Sequence, residues 1–375
     1  MAKWFRIWVN RKGTVKKMKS TLVIVGGFLG SGKTSLLWKM AEMLKENGEK
    51  VGLITNDQAS GLVDTAFLET NTDMVREVSG SCFCCNFNGF VDAIRYIGEK
   101  NDGGLIFAEP VGSCTDLSAT IMQPLKEKCS AFINLMPLTV LADPFKLKEI
   151  LESAASTASY IILKQFEEAD MILINKIDLI SAEELTSLQN AASERWPGAK
   201  LLSVSVKTGE GLSDWFDSIV RSDAASGTRI TEVDYDIYAE GEAAFGWLNA
   251  TFSIEDSGDF DAAASAFLHS LARRFDDIPA NVGHVKFLLQ CGGEQMIGNI
   301  TGSAKTATLK TLNHKNSEKN ELTVNARVEM DPQALKSIIL EEVDKAFGKL
   351  RCVQTALKCL TPGRPNPTYR YSNVI

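Results

Sequence analysis

The sequence predicts an α/β fold: a mostly parallel sheet with helices on both faces, followed by a smaller α+β domain. Three observations carry this. From residue 21 to 222, near-continuous apolar runs alternate with stretches whose apolar residues recur at helical spacing. That is the pattern of parallel strands buried on both faces. The first run breaks into a glycine-rich turn that opens a helix. Beyond about residue 222 the alternation stops, and strand, helix, hairpin, strand and helix follow.

In order, TLVIVGG (21–27) is a buried strand, and TSLLWKMAEMLKE (34–46) is a helix that stops near Gly48. KVGLIT (50–55), GLIFAEP (104–110), LTVLAD (138–143), DMILINK (170–176) and KLLSVS (200–205) are further strands. Helical patterns fall at 86–99, 156–168, 182–195 and 211–221. SDAASGTR reads as the start of a linker, 223–240. A C-terminal domain over 241–360 then holds a strand at 246–255, a helix at 259–276, a hairpin of 285–291 with 295–302 around Gly292 and Gly293, a strand at 321–330 and a helix at 331–347. Asp331 is a good N-cap with Pro332 in the first helical position. The order suggests a ferredoxin-like arrangement. The tail 361–375, with three prolines, reads as extended.

A length of 375 residues fits two domains or three. The 45% hydrophobic and 23% charged composition is that of a globular chain and excludes a mainly disordered or coiled-coil one. No apolar stretch is long enough for a membrane span. The net charge of −7 argues against a general nucleic-acid binder. Residues 1–19 are a basic exception, expected to be a disordered arm, with Met18 a plausible true start. No secretory signal is visible. The eight cysteines do not form a disulfide framework, so a reducing cytoplasm is expected, where clustered cysteines bind metal or act in redox chemistry. His269, His284 and His314 form no tract and read as surface or satisfied core residues.

GGFLGSGKTS (26–35) holds the P-loop pattern, Gly27 through Gly32, Lys33 and Thr34, between a strand and a helix. This makes the first domain, 20–222, a P-loop NTPase sheet. Backbone N–H groups of Gly30, Ser31, Gly32 and Ser35 and the helix N-terminus face phosphate. Lys33 is expected to reach the β/γ-phosphates, and the Thr34 hydroxyl to bind Mg²⁺. Asn175-Lys176-Ile177-Asp178 at a strand end matches the N-K-x-D pattern, in which a carboxylate reads the two donors of guanine and rejects adenine. Ser205-Val206-Lys207 resembles the loop that closes over the base. Asp57 and Glu109 end strands at the carboxyl edge of the sheet. One binds Mg²⁺ directly or through water and the other positions the attacking water, with Asp57 favoured for the water.

Cys82-Phe83-Cys84-Cys85 offers three thiolates of a tetrahedral soft-metal site, for Zn²⁺ or a similar ion, with the fourth ligand from elsewhere. Cys114 lies just past Glu109 and is close enough in sequence to approach the cluster.

The P-loop, CFCC, the Glu109-Pro110-Val111-Gly112 run and NKID together resemble the CobW/HypB/UreG family of metallochaperone GTPases, most of all its CobW-like branch. The resemblance implies P-loop residues at Gly30, Gly32, Lys33, Thr34 and Ser35, guanine contacts at Asn175, Lys176 and Asp178, a Mg²⁺-linked Glu109, and metal thiolates at Cys82, Cys84 and Cys85. It also implies a Mg²⁺-dependent GTP/GDP cycle that delivers zinc or cobalt, or a metallocofactor, to a client metalloprotein. The alternative is a GTP-driven activator of a corrinoid or other metalloenzyme that transfers no free metal. A homodimer holding nucleotide and metal is a further expectation. Turnover is expected to be slow, because the sequence shows no arginine finger near the switch segments.

Overall fold

The computed structural model describes residues 19–57, 63–69, 72, 74–152, 157–220, 224–278, 280–291, 293–302, 306–313 and 320–375. The basic arm with Met18, the first residues of the expected linker, Gly292 and His314 lie outside the described residues.

The N-terminal unit runs β1 (Ser20–Gly27), α1 (Lys33–Glu46), β2 (Val51–Asp57), α2 (Val63–Glu69), β3 (Val75–Ser79), α3 (Phe87–Lys100) and β4 (Leu105–Glu109). It continues through α4 (Gln123–Cys129), β5 (Ile133–Leu135), β6 (Thr139–Ala142), α5 (Pro144–Glu152), α6 (Thr157–Glu168), β7 (Met171–Ile174), α7 (Ala182–Arg195), β8 (Lys200–Ser203) and α8 (Leu212–Val220). The sheet order is β3-β2-β4-β1-β6-β7-β8, with β5 beside the start of β1. Every pairing is parallel. Leu22, Val23, Ile24 and Val25 of the central β1 are fully buried, because helices cover both faces of the sheet. Strand order reverses around β1, and this puts the ends of β1, β2, β4 and β7 at one crevice.

The expected linker is structured. Gly227 and Thr228 donate their backbone N–H groups to the Asp170 carboxylate, at 2.6 and 2.9 Å. Helix α9 (Tyr235–Ala243), capped by Asp234, follows and buries Tyr238 and Glu242 against the first unit. Composition alone reads this stretch as loose, because its partners lie far away in sequence.

The C-terminal unit is β9 (Gly246–Ile254), α10 (Phe260–Asp276), β10 (Val282–Cys291), β11 (Glu294–Thr301), β12 (Thr306–Asn313), β13 (Glu321–Val328), α11 (Pro332–Phe347) and β14 (Cys352–Leu360). Its sheet order is β12-β11-β10-β13-β9-β14, all antiparallel. Strands β14-β9-β13-β10 with helices α10 and α11 are the ferredoxin-like arrangement, and the β11–β12 hairpin widens it at the β10 edge. Phe267 packs edge-on against Phe287 and Phe347 at ring-centroid separations of 5.2 and 5.7 Å, making the core between helices and sheet. The opposite face of this sheet carries Lys286 and Arg327 and turns toward the P-loop. Beyond β14 the chain runs back across the first unit, where the Thr368 N–H donates to the Cys84 carbonyl at 2.8 Å.

Candidate functional site: a P-loop crevice beside a thiol cluster

The crevice has a volume of about 610 Å³ and lies between the P-loop and the C-terminal sheet. Its shape follows from local chemistry. Gly32 enters α1 at φ 102°, and a Cβ there would meet Asn175 Nδ2 at 2.4 Å, so only glycine fits. Asn175 donates to the Ser31 carbonyl at 2.8 Å and accepts from the Val206 N–H at 3.1 Å. Thus the first residue of NKID ties the phosphate loop to the 205–207 loop. Ser205 Oγ donates to Asp178 at 2.7 Å, and Lys207 stands 3.8 Å from its other oxygen. Lys176 pairs with Asp143 at 2.7 Å. These contacts fix the Asp178 carboxylate at the crevice rim.

Lys33 folds back and donates to the carbonyls of Gly27 and Phe28 at 2.9 and 3.3 Å. Burial lowers its pKa, and nearby Glu109 opposes the shift. Thr34 Oγ1 donates to Glu109 Oε1 at 3.0 Å. Burial raises the Glu109 pKa to about 7, against the pull of Lys33. The Thr34–Glu109 pair fits a Mg²⁺ site, because the buried Glu109 Oε2 has no hydrogen-bond partner. The buried Ser31 hydroxyl is likewise without a partner, and it fits a phosphate oxygen.

Asp57, expected to orient water, lines the crevice and has a partner from the second domain. Its carboxylate is held by Arg327 of β13 at 2.6 Å, in an ion pair almost closed to solvent. Reading the sequence also missed four crevice residues. Asp64 on α2 pairs with Lys286 of β10 at 2.6 Å, and Lys286 Nζ stands 3.5 Å from Thr34 Oγ1. His284 lines the crevice, where burial and then the cations Lys286, Arg327 and Lys33 hold it neutral. The cations absent from the switch segments therefore come from the second domain. No local pattern announces them, since they sit more than 200 positions from the P-loop (Lys286 and Thr34 are 252 apart).

The thiol cluster lies next to this crevice. Cys82 Sγ is 3.0 Å from Cys84 Sγ and 3.1 Å from Cys85 Sγ, and Cys84 and Cys85 are 3.8 Å apart. The three form a group able to hold a metal ion. Asn86 caps α3 just behind them, accepting from the Gly89 N–H. Thiol hydrogen bonds from Cys114, then Cys84 and Cys85, hold Cys82 well below the usual thiol range. Cys84 and Cys114 are pushed well up, and Cys85 to about 11, chiefly by the same thiol contacts.

Two connections link cluster and crevice. Asn56, next to Asp57 at the end of β2, accepts from the Phe83 N–H at 2.8 Å and donates to the Val78 and Ser81 carbonyls at 2.7 and 2.8 Å. On the other side, the chain leaving Glu109 turns back through Cys114, whose N–H bonds the Val111 carbonyl.

Residues 21–203 match the nucleotide-binding domain of the CobW/HypB/UreG family. The chain is similar to Zinc-regulated GTPase metalloprotein activator 1 of Dictyostelium discoideum, 25% identical over 232 residues, covering 52% of this chain and 48% of the relative. The protein of the same name from Schizosaccharomyces pombe is 24% identical over 230 residues, 59% of this chain and 54% of the relative. Hydrogenase maturation factor HypB of Azotobacter chroococcum is 27% identical over 198 residues, 52% of this chain and 58% of the relative. The chain spans about half the length of these curated relatives.

Proposed function

We propose, for a chain that belongs to the CobW/HypB/UreG family through residues 21–203, a Mg²⁺-dependent GTP hydrolase that couples its nucleotide cycle to delivery of a metal ion, zinc first, to a client metalloprotein. Asp178 reads guanine. Gly30 to Ser35 cradle the phosphates, and Lys33 swings from the Gly27 carbonyl to the β/γ-phosphates. Thr34 and Glu109 hold Mg²⁺, which supplies charge neutralisation at the transferred phosphoryl group. Lys286 adds a further positive charge at this site. Asp57 anchors Arg327 and the second domain. Zinc is the preferred cargo because the donors are thiolates and because two of the relatives are named as zinc-regulated.

The observation that carries the reading is Asn56. It bonds the thiol loop at Ser81 and Phe83 and β3 at Val78, and sits beside Asp57 in the crevice, so a shift at the end of β2 reaches the sulfurs. A second reading, an activator that remodels a metalloenzyme or corrinoid enzyme and keeps its metal, is favoured by the C-terminal segment that covers Cys84 and Cys85.

The test measures GTP turnover and zinc content together. Lys33→Ala abolishes hydrolysis and keeps zinc, while Ser at positions 82, 84 and 85 together removes zinc. A folded Lys33→Ala protein with normal turnover, or stoichiometric zinc in the triple variant, contradicts the proposal. Zinc retained through many turnovers in the presence of a chelator selects the second reading.

A further inference from the structure

We propose that the C-terminal segment, residues 361–375, is a reversible latch that closes the Cys82, Cys84 and Cys85 thiols and must lift before a metal ion enters or leaves them. This rests on the metal-binding reading above and deepens it to the regulation of that site.

Of the three thiols, Cys82 and Cys84 are buried, and Cys85 is the partly open one. The segment lies on that open thiol. The Asn366 N–H donates to Cys85 Sγ at 3.3 Å. Thr368 bonds the Cys84 carbonyl through its N–H at 2.8 Å and the Cys85 carbonyl through its hydroxyl at 3.0 Å. A sulfur that accepts an N–H bond keeps lone pairs for a metal, so the segment and an ion fit the cluster together. Hydrogen bonds to a ligating sulfur also orient and stabilise it, so a closed latch slows metal exchange.

The segment is held on both sides of the thiols. Upstream, Arg364 donates to Asp236 at 2.8 Å. Downstream, Tyr369 meets Phe87 edge-on at 5.3 Å, and Lys128 Nζ stands 4.6 Å from the centre of the Tyr369 ring. Arg370 donates to the buried Asp116 at 2.7 Å, and Tyr235 donates to the same oxygen. The Tyr371 N–H bonds the Ala119 carbonyl at 3.0 Å. Pro362, Pro365 and Pro367 fix φ along the segment, so it loses less chain entropy on docking. It forms neither helix nor strand, and its Arg364–Asp236 pair is largely exposed, a kind of pair that contributes little. The segment can therefore lift while the sheets and helices beneath it stay folded.

Two rates measured on the full chain test this. One is iodoacetamide labelling of Cys85 in the metal-free protein, located by mass spectrometry. The other is zinc loss from the loaded protein to an excess of chelator. In Tyr369→Ala/Arg370→Ala, both are expected to run about tenfold faster, a loss of about 1.4 kcal/mol from each barrier. An unchanged rate in either measurement overturns the latch. Because Arg370 neutralises a buried acid, a milder variant guards against misfolding: Asn366→Pro deletes the N–H aimed at Cys85 Sγ, leaves the anchors in place and is expected to change both rates in the same direction. Hydrogen exchange of wild type needs no variant. Protected Thr368 and Tyr371 amides support the latch, and amides that exchange as fast as in an unstructured peptide overturn it. A wild type that binds no zinc removes the metal reading, and the labelling rate then decides by itself whether the thiols are closed by this segment.

Discussion

Arg327, on the middle of the C-terminal sheet, donates to Asp57 at the end of β2 across 2.6 Å, with both side chains almost closed to solvent. This contact joins the two domains at the crevice. The Arg327 guanidinium also donates to the Leu248 carbonyl at 3.0 Å and lies 4.4 Å from the centre of the Trp247 ring. The acid is thereby oriented by a rigid strand.

Removing one partner of a buried pair leaves the other charge uncompensated, at a cost of about 3–5 kcal/mol. Arg327→Met is therefore expected to lower the midpoint of chemical unfolding sharply. Adding Asp57→Asn to Arg327→Met should restore much of the loss, and a double variant no better than the single one would mean that the pair is not coupled.

Asp178→Asn reverses the hydrogen-bond polarity presented to the base. The outcome expected is a large fall in GTP affinity with a shift toward xanthosine triphosphate. Nucleotide competition measures this, and unchanged GTP affinity would remove Asp178 from base reading.

Glu168 predicts a pH effect. It is fully buried, and burial raises its pKa to about 8 while the Ser118 N–H, donating at 2.7 Å, opposes the shift. A raised carboxyl is more protonated in the folded than in the unfolded chain, so its stability contribution is full below about pH 4.3 and lost as pH rises toward 8. Glu168 alone should lower stability by at most about 1.4 kcal/mol per pH unit over that window. Glu168→Gln should flatten the slope, and unfolding midpoints at pH 6 and 8.5 for both proteins give the comparison. Equal slopes would show that Glu168 does not titrate there.

What could be read from the sequence was local. The P-loop and NKID need fixed spacing on a strand end, and hydrophobic period marked six parallel strands. The additional strands were harder for physical reasons. Only Val78 of β3 is buried, so no apolar run marks it, and β5 is three residues long. β14 is an edge strand with most of its residues exposed or half-exposed. Site residues contributed by distant segments carried no signal either. Lys286, Arg327 and Asp64 look like ordinary charges on a half-exposed strand or helix until the second domain is folded over the crevice. Cys114 stands out in sequence for its proximity to Glu109, and Asn56 gains its meaning only from its bonds to β3 and the thiol loop.

The central claim is that nucleotide and metal sites are coupled through Asn56 and the Glu109–Cys114 loop. Zn²⁺ affinity measured by competition titration in the GDP and GTP-analogue states tests it most directly. Linkage requires GTP and zinc to change each other's affinity by the same factor, and a functional coupling is about 1–3 kcal/mol, roughly 5–150-fold. The account predicts a difference in that range, carried by Cys82, Cys84 and Cys85. Equal zinc affinities in the two nucleotide states, even with tight binding in both, would contradict it.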